Sequence, residues 1–256
     1  MSEAKKVAVA GATGRLGRHV VDVLTERGHR VVSMSRATGV DIVTGEGLAE
    51  ALEGVDVVID AASTPSPDQQ VATEFFTAAA RNLHEAGQKA GVGRMVVVSI
   101  IGIDESVAGY NAAKLEHERA VLAGPVPVRV LRAAQFHEFV EQLTQWGRQG
   151  DTVYVPKMRT QLVAARAVAE ALVDLAEADE APGARAPFPE VAGPREESLE
   201  DAARLLMSHR DPSAKVVAVS DPANPERDLF ESGGLLPGAG ARLAGPTFEE
   251  WVGAGF

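Results

Sequence analysis

The feature that most constrains this chain is a glycine-spaced turn, Gly11-Ala12-Thr13-Gly14-Arg15-Leu16-Gly17, set between two patterns of different period. Before it, Val7-Ala8-Val9-Ala10 is a short apolar run, the signature of a strand buried on both faces. After it, Leu16, Val20, Val21, Val23 and Leu24 mark a helical stripe that Gly28 closes. Gly11 permits the tight turn, Gly14 leaves the backbone open to an anion, and Gly17 lets the helix lie close to the strand. Amides at the start of the helix then face that anion.

The same alternation continues along the chain. Arg30–Ser35 reads as a second strand, Gly47–Glu53 as a short helix and Val55–Asp60 as a third strand. A long helix over 70–90 ends at Gly91, and Met95–Ser99 is the fourth strand. A helix over 111–123 stops at Gly124-Pro125, before a fifth strand at Val128–Leu131. This order predicts an α/β fold of Rossmann type, a doubly wound parallel sheet with helices on both faces. Ligands of such sheets bind beyond the carboxyl ends of the strands. The residues after Ala10, Ser35, Asp60, Ser99 and Leu131 are therefore expected on one rim.

Beyond residue 135 the pattern weakens. Helices are expected over 137–148, 163–178 and 198–209, and a strand over 215–219. The reading is a dinucleotide-binding core over 1–135 and a small C-terminal substrate lobe over 136–256, interwoven as a single domain overall. Ala181–Pro194 is rich in Pro, Gly and Ala, and the Gly-rich tail carries a late aromatic pair, Phe248 and Trp251.

Composition narrows the function classes. A net charge of −11 argues against sequence-independent nucleic-acid binding, which needs a basic face. No apolar run approaches the roughly 18 residues of a membrane span. Met1–Lys6 lacks the apolar core of a signal peptide, so a cytoplasmic location is expected. The absence of cysteine removes disulfides, thiolate metal sites and cysteine nucleophiles. The six histidines show no metal-ligand spacing, so no metal is expected. The partner is a small-molecule substrate, and the chain is expected to be a monomer or homodimer.

The choice of dinucleotide is made mainly after the second strand. A site for NAD usually places an acid there to hold the ribose 2′-hydroxyl. This chain has Ser35-Arg36 instead, with Arg15 inside the glycine turn. Two guanidinium groups suit a 2′-phosphate, so NADP is favoured over NAD. Asp41 lies beyond the strand end and is expected near the adenine.

Ser99 ends the fourth strand, and Tyr110-Asn111-Ala112-Ala113-Lys114 follows. A helix puts Tyr110 and Lys114 on one face, one turn apart. Lys114 is expected to hold the nicotinamide ribose and to lower the pKa of Tyr110 by its charge. Tyr110 would then give a proton to a carbonyl oxygen to which Ser99 also donates a hydrogen bond. His117-Glu118 reads as a solvated pair, Glu177–Glu180 as a solvated loop start, and Phe139, Leu143 and Trp146 as lobe core or a substrate wall.

These residues resemble the short-chain dehydrogenase/reductase superfamily, in particular its atypical NmrA-like, NAD(P)H-binding branch. The likeness is carried by residues 11–17, Ser35-Arg36, the segments 54–60, 90–99 and 128–136, and the tail from Thr247 to Trp251. The resemblance implies Gly11, Thr13, Arg15, Leu16, Arg36, Ala61, Ala62 and Lys114 around the cofactor, with Ser63 beside them. It also implies Ala133, Gln135 and Phe136 beside the nicotinamide and substrate, and His137 follows them. Only ten residues separate Ser99 from Tyr110, and the third strand ends in Asp60-Ala61-Ala62-Ser63. The leading expectation is an NADP(H)-dependent reductase of a small apolar carbonyl or quinone-like compound. The alternatives are an NADP-binding redox sensor without turnover and, more weakly, an epimerase or dehydratase that retains its cofactor.

Overall fold

Apolar runs become strands wherever both of their faces are covered, and the first strand shows this plainly. β1 (Lys6–Ala10) is buried from Val7 onward, and Val7 pairs with Val31 on one side and Val57 on the other, both in parallel. The structure, a computed structural model, describes residues 4–180 and 183–255. Met1–Glu3 of the N-terminal segment, Ala181–Pro182 of the Pro/Gly/Ala-rich stretch and Phe256 of the tail lie outside the described residues.

The chain divides into two units that interleave in sequence. The first comprises Met1–Ser99, Ala108–Arg132 and Val168–Pro189; the second comprises Ile100–Val107, Ala133–Ala167 and Glu190–Phe256. No single cut at residue 135 separates them, because Val168–Pro189 returns to the first unit.

In the first unit the elements follow the expected order. β1 leads to α1 (Gly17–Glu26), β2 (Arg30–Met34), a short 3-10 turn at Arg36–Thr38, α2 (Leu48–Ala51) and β3 (Val57–Asp60). Next come α3 (Gln69–Ala90), β4 (Arg94–Ile100), α4 (Gly109–Leu122) and β5 (Val128–Ala133). The portion of the sheet in this unit runs β5-β4-β3-β1-β2, and the β1–β2, β1–β3 and β3–β4 pairings are parallel. The Rossmann-type α/β fold is therefore present. Asp68 caps α3 by accepting the Val71 amide at 2.9 Å, and Gly91 ends it at φ +74°.

The core of this unit packs Val58, Met95, Val97 and Val130 of the sheet against Ala79, Ala80 and Leu83 of α3. Glu177 is not solvated as its acidic surroundings suggest. It closes the helix Ala165–Glu177 and takes bonds from Arg27 at 2.6 Å and His29 at 2.8 Å. Arg27, just after α1, and the His29 ring, just before β2, draw it in.

The second unit holds a 3-10 turn at Ile103–Glu105, then α5 (His137–Trp146), β6 (Arg148–Gln149), β7 (Thr152–Pro156) and β8 (Arg159–Thr160). α6 (Ala165–Glu177) passes from this unit into the first. Then follow β9 (Glu190–Ala192), β10 (Glu197–Ser198), α7 (Leu199–Arg210) and β11 (Lys215–Val219). α8 (Arg227–Ser232), β12 (Arg242–Leu243) and α9 (Phe248–Gly253) complete it. β7 lies between antiparallel β6 and parallel β11, and β9 pairs with β12 in parallel. The late aromatics sit on α9, which opens with a capping box between Thr247 and Glu250.

Candidate functional site

The glycine turn has the geometry its residues demand. Gly11 sits at φ +72°, and a methyl group there would lie 2.8 Å from the Ala62 Cα. One at Gly17 would lie 2.0 Å from the Gly11 carbonyl oxygen. The turn thus presses against both the Ala61-Ala62 segment and the start of α1, where only hydrogen fits. Leu16 and Gly17 are buried, whereas Thr13, Gly14 and Arg15 are exposed. The Gly14 amide closes the turn on the Gly11 carbonyl at 2.8 Å. No side chain caps α1 and no acid stands in its first turn. A helix start without a capping side chain or an acid in its first turn fits a pyrophosphate.

Ser35 precedes the 3-10 turn, its amide bonded to the Thr38 hydroxyl at 2.9 Å, and Arg36 is exposed. Asp41 is taken up locally, accepting the amides of Val43 and Thr44 at 2.8 and 3.3 Å.

The second part of the site is a cluster on β3, α3 and α4 of the first unit. Tyr110 is the second residue of α4 and packs edge-on to Phe76, ring centres 5.7 Å apart. Its hydroxyl lies 2.8 Å from the Ser63 hydroxyl. Ser99 is buried, and its Oγ has no hydrogen-bond partner among the described residues. The hydroxyl brought to Tyr110 is thus Ser63, not Ser99. Lys114 turns inward and is 3% exposed. It donates to the Val98 carbonyl at 2.8 Å and to His117 Nδ1 at 2.9 Å, and stands 4.5 Å over the Phe76 ring. His117 stacks on Phe76, with Nε2 3.3 Å from Asp60 Oδ2, a close approach that falls short of hydrogen-bond geometry. Asp60 also accepts the Ala62 amide at 3.0 Å.

Charge follows from this burial. Desolvation pulls the Lys114 ammonium down to about 8, against the opposing pull of Asp60 and Glu118. Desolvation and the Lys114 charge lower His117, so its ring is neutral at neutral pH. For Asp60, burial opposes ionisation, but His117, the Ala62 amide and Lys114 outweigh it and hold the carboxyl below its usual value. Burial raises the Tyr110 phenol, the Ser63 bond opposes that rise and the Asp60 charge adds to it. The direction is opposite to the one expected from a Lys114 charge, because burial of the phenol outweighs the other influences on it.

His117 and Glu118 are not solvated: both are buried. Glu118 receives two bonds from Arg132, at 2.9 and 2.8 Å, and the guanidinium stands over Phe188. Asp60, Phe76 and His117 are the site residues that sequence reading passed over. The i,i+3 spacing of Lys114 and His117 carried a usable signal. Phe76 carried none, since an aromatic on a long helix reads as core.

Gln135, Phe136 and His137 belong to the second unit. Gln135 accepts the Thr160 hydroxyl at 2.8 Å, and Phe136 bridges to Val163. His137 is fully buried, bonded to the Leu162 carbonyl at 3.1 Å and set edge-on to Phe248 and Trp251. It is a core histidine, since a ring so enclosed has no face left for a substrate. Trp146 is 55% exposed and is not lobe core. It is the last residue of α5, off the buried face formed by His137, Val140 and Thr144. Among the described residues no group of three His, Cys, Asp or Glu side chains is arranged to hold a metal ion, and no helix is long and apolar enough to cross a membrane.

The model of the family described as NAD(P)H-binding matches residues 11–179, from the glycine turn to just past α6. The chain belongs to this NAD(P)H-binding family. It is of the short-chain dehydrogenase/reductase superfamily, as residues 11–17, Ser35-Arg36 and the segments 54–60, 90–99 and 128–136 implied. Photosystem II assembly factor Ycf39 of Synechocystis sp. is 36% identical over 110 residues, 38% of this chain and 34% of that protein. L-arabinose 1-dehydrogenase (NAD(P)(+)) of Haloferax volcanii is 31% identical over 133 residues, 49% of this chain and 51% of that one. These matches span about a third and about half of the relatives' own lengths. Among solved structures, the Bordetella bronchiseptica enzyme WbmH in complex with NAD+ aligns over 98% of this chain and 96% of its own, with TM-score 0.70 and 17% identity. At that identity the likeness is one of fold.

Proposed function

We propose that the protein is an NADP(H)-dependent oxidoreductase that reduces a small apolar carbonyl or quinone-like compound, with Tyr110 as proton donor. The observation that carries this reading is the Tyr110 hydroxyl, held by Ser63 at 2.8 Å on the same unit as the bare glycine turn. The glycine turn would hold the pyrophosphate, and exposed Arg15 and Arg36 would hold the 2′-phosphate. When bound, the reduced nicotinamide supplies a hydride to the carbonyl carbon. Tyr110 gives its proton to the oxygen. A phenol raised by burial stays protonated at neutral pH, as a donor in the reductive direction must. Lys114, whose ammonium has one donor beyond its bonds to Val98 and His117, would hold a ribose hydroxyl.

The test is a panel of apolar ketones and quinones with NADPH. Tyr110→Phe is expected to lower kcat by about 100-fold or more while leaving NADPH affinity intact. Equal turnover by the variant would remove Tyr110 from the mechanism.

A second reading is favoured by the likeness to Ycf39, named an assembly factor, and by the inward-turned Lys114. In it the chain binds NADP(H) and reports its redox state to a partner. It predicts tight binding of both nucleotide forms and no turnover of any panel member.

A further inference from the structure

We propose that Ser63 is the positioning residue of the Tyr110 proton donor and its route back to solvent protons, the task the chain's order of motifs assigns to Ser99. This rests on the reading of Tyr110 as proton donor. Ser63 follows the carboxyl end of β3, three residues after Asp60, in the segment that Gly11 presses upon. The position is fixed from behind. Ala61 donates to the Ala10 carbonyl at 3.1 Å and Ala62 to Asp60 at 3.0 Å, and both alanines are buried. Ser63 itself is exposed, while Tyr110 is half-buried. Its hydroxyl sits 2.8 Å from Tyr110 Oη and donates to the Thr64 carbonyl at 3.3 Å, on a residue open to solvent. Ser99 lacks both properties, with a buried Oγ that meets no partner among the described residues.

The chemistry balances with these groups and the nucleotide. The carbonyl carbon gains a hydride, the two electrons of the C=O π bond move to oxygen, and that oxygen takes the Tyr110 proton. The phenolate left behind is stabilised by the Ser63 O–H. It recovers a proton as Ser63 passes its own inward and takes one from water. The net change is reduction of the carbonyl to an alcohol, oxidation of one NADPH to NADP+ and uptake of one solvent proton. The titratable groups of the cluster are Asp60 from β3 and Lys114 and His117 from the phenol's own helix, and of these the Asp60 charge acts on the phenol; α3 presents the uncharged Phe76.

The chain has two tyrosines, so Tyr154→Phe leaves Tyr110 as the sole tyrosine and its ionisation readable by tyrosinate absorbance without substrate or cofactor. In that background Ser63→Ala is expected to raise the Tyr110 midpoint by about one pH unit, the worth of a hydrogen bond to a charged group. It should also lower kcat by about 10-fold, on the panel member the wild type reduces fastest, with KM nearly unchanged. Ser63→Thr keeps the hydroxyl and should restore both. A slow Tyr110→Phe with a wild-type rate in Ser63→Ala, or an unmoved Tyr110 midpoint, overturns the Ser63 role alone. A Tyr110→Phe that turns over normally, or a wild type that reduces no panel member, overturns the proton-donor reading and the Ser63 role with it.

Discussion

Arg36 stands where a dinucleotide site of the NAD type carries an acid, and its exposed side chain follows β2 by two residues. A guanidinium there recognises a phosphate far better than a hydroxyl, because its bond to a dianion is charge-assisted. Arg36→Leu is accordingly expected to weaken NADPH by about 10-fold or more and to leave NADH unchanged, as read by fluorescence titration of each nucleotide. Equal losses for both would show that Arg36 does not meet the 2′-phosphate. Residue identity alone makes this reading legible. It does not do so for His117 and Glu118. Both are polar residues on a helix of low amphipathic contrast, and what buries them is Asp60 on one side and Arg132 on the other. Those partners are 57 and 14 residues away, beyond any local pattern. The same holds for the Ser63–Tyr110 pair, which joins positions 47 residues apart.

At the scale of elements, the βα turn and α1 form one unit whose tolerance to substitution depends on space. Gly17 opens α1 and Gly28 follows it, yet they differ in kind. A methyl at Gly17 collides with backbone at 2.0 Å, whereas one at Gly28 meets nothing within 4 Å and is opposed only by φ +81°. Gly28→Ala is expected to cost about 1 kcal/mol in urea unfolding and to leave nucleotide affinity unchanged. Gly17→Ala must push the helix from the turn, so NADPH affinity should fall by about 10-fold or more along with stability. Similar effects of the two on binding would contradict the close-packing role. The long elements were legible because their periods repeat over many residues: the helix expected over 70–90 is Gln69–Ala90, and the strand expected over 215–219 is Lys215–Val219. Strands of two residues such as Arg148–Gln149 and Arg242–Leu243 carry no period at all, and their pairing partners define them.

For the whole molecule, buried histidines tie stability to pH. Burial pushes His137 down to about 4 and lowers His117 and His84 in the same direction. As pH falls below the ordinary 6.5, the unfolded chain takes up protons that these rings refuse while folded. Stability is therefore present above that value and is lost as pH falls toward about 4. For His137 the full effect is ~3 kcal/mol. Urea unfolding across this range should show a shallower acid limb for His137→Met than for the wild type. Parallel limbs would mean that the ring titrates normally.

By itself, the sequence determined the order of strands and helices from β1 to β5, the parallel sheet they imply and the glycine turn between β1 and α1. Each of these is written in short-range spacing: glycines three apart, apolar runs of four, helical stripes that recur every turn. Only the tertiary structure decided which hydroxyl meets Tyr110, where the Lys114 ammonium points and how the chain interleaves its two units. Those outcomes depend on burial and on partners distant in sequence. The desolvation of a charged group is set by everything packed around it, and no local pattern of residues contains that sum.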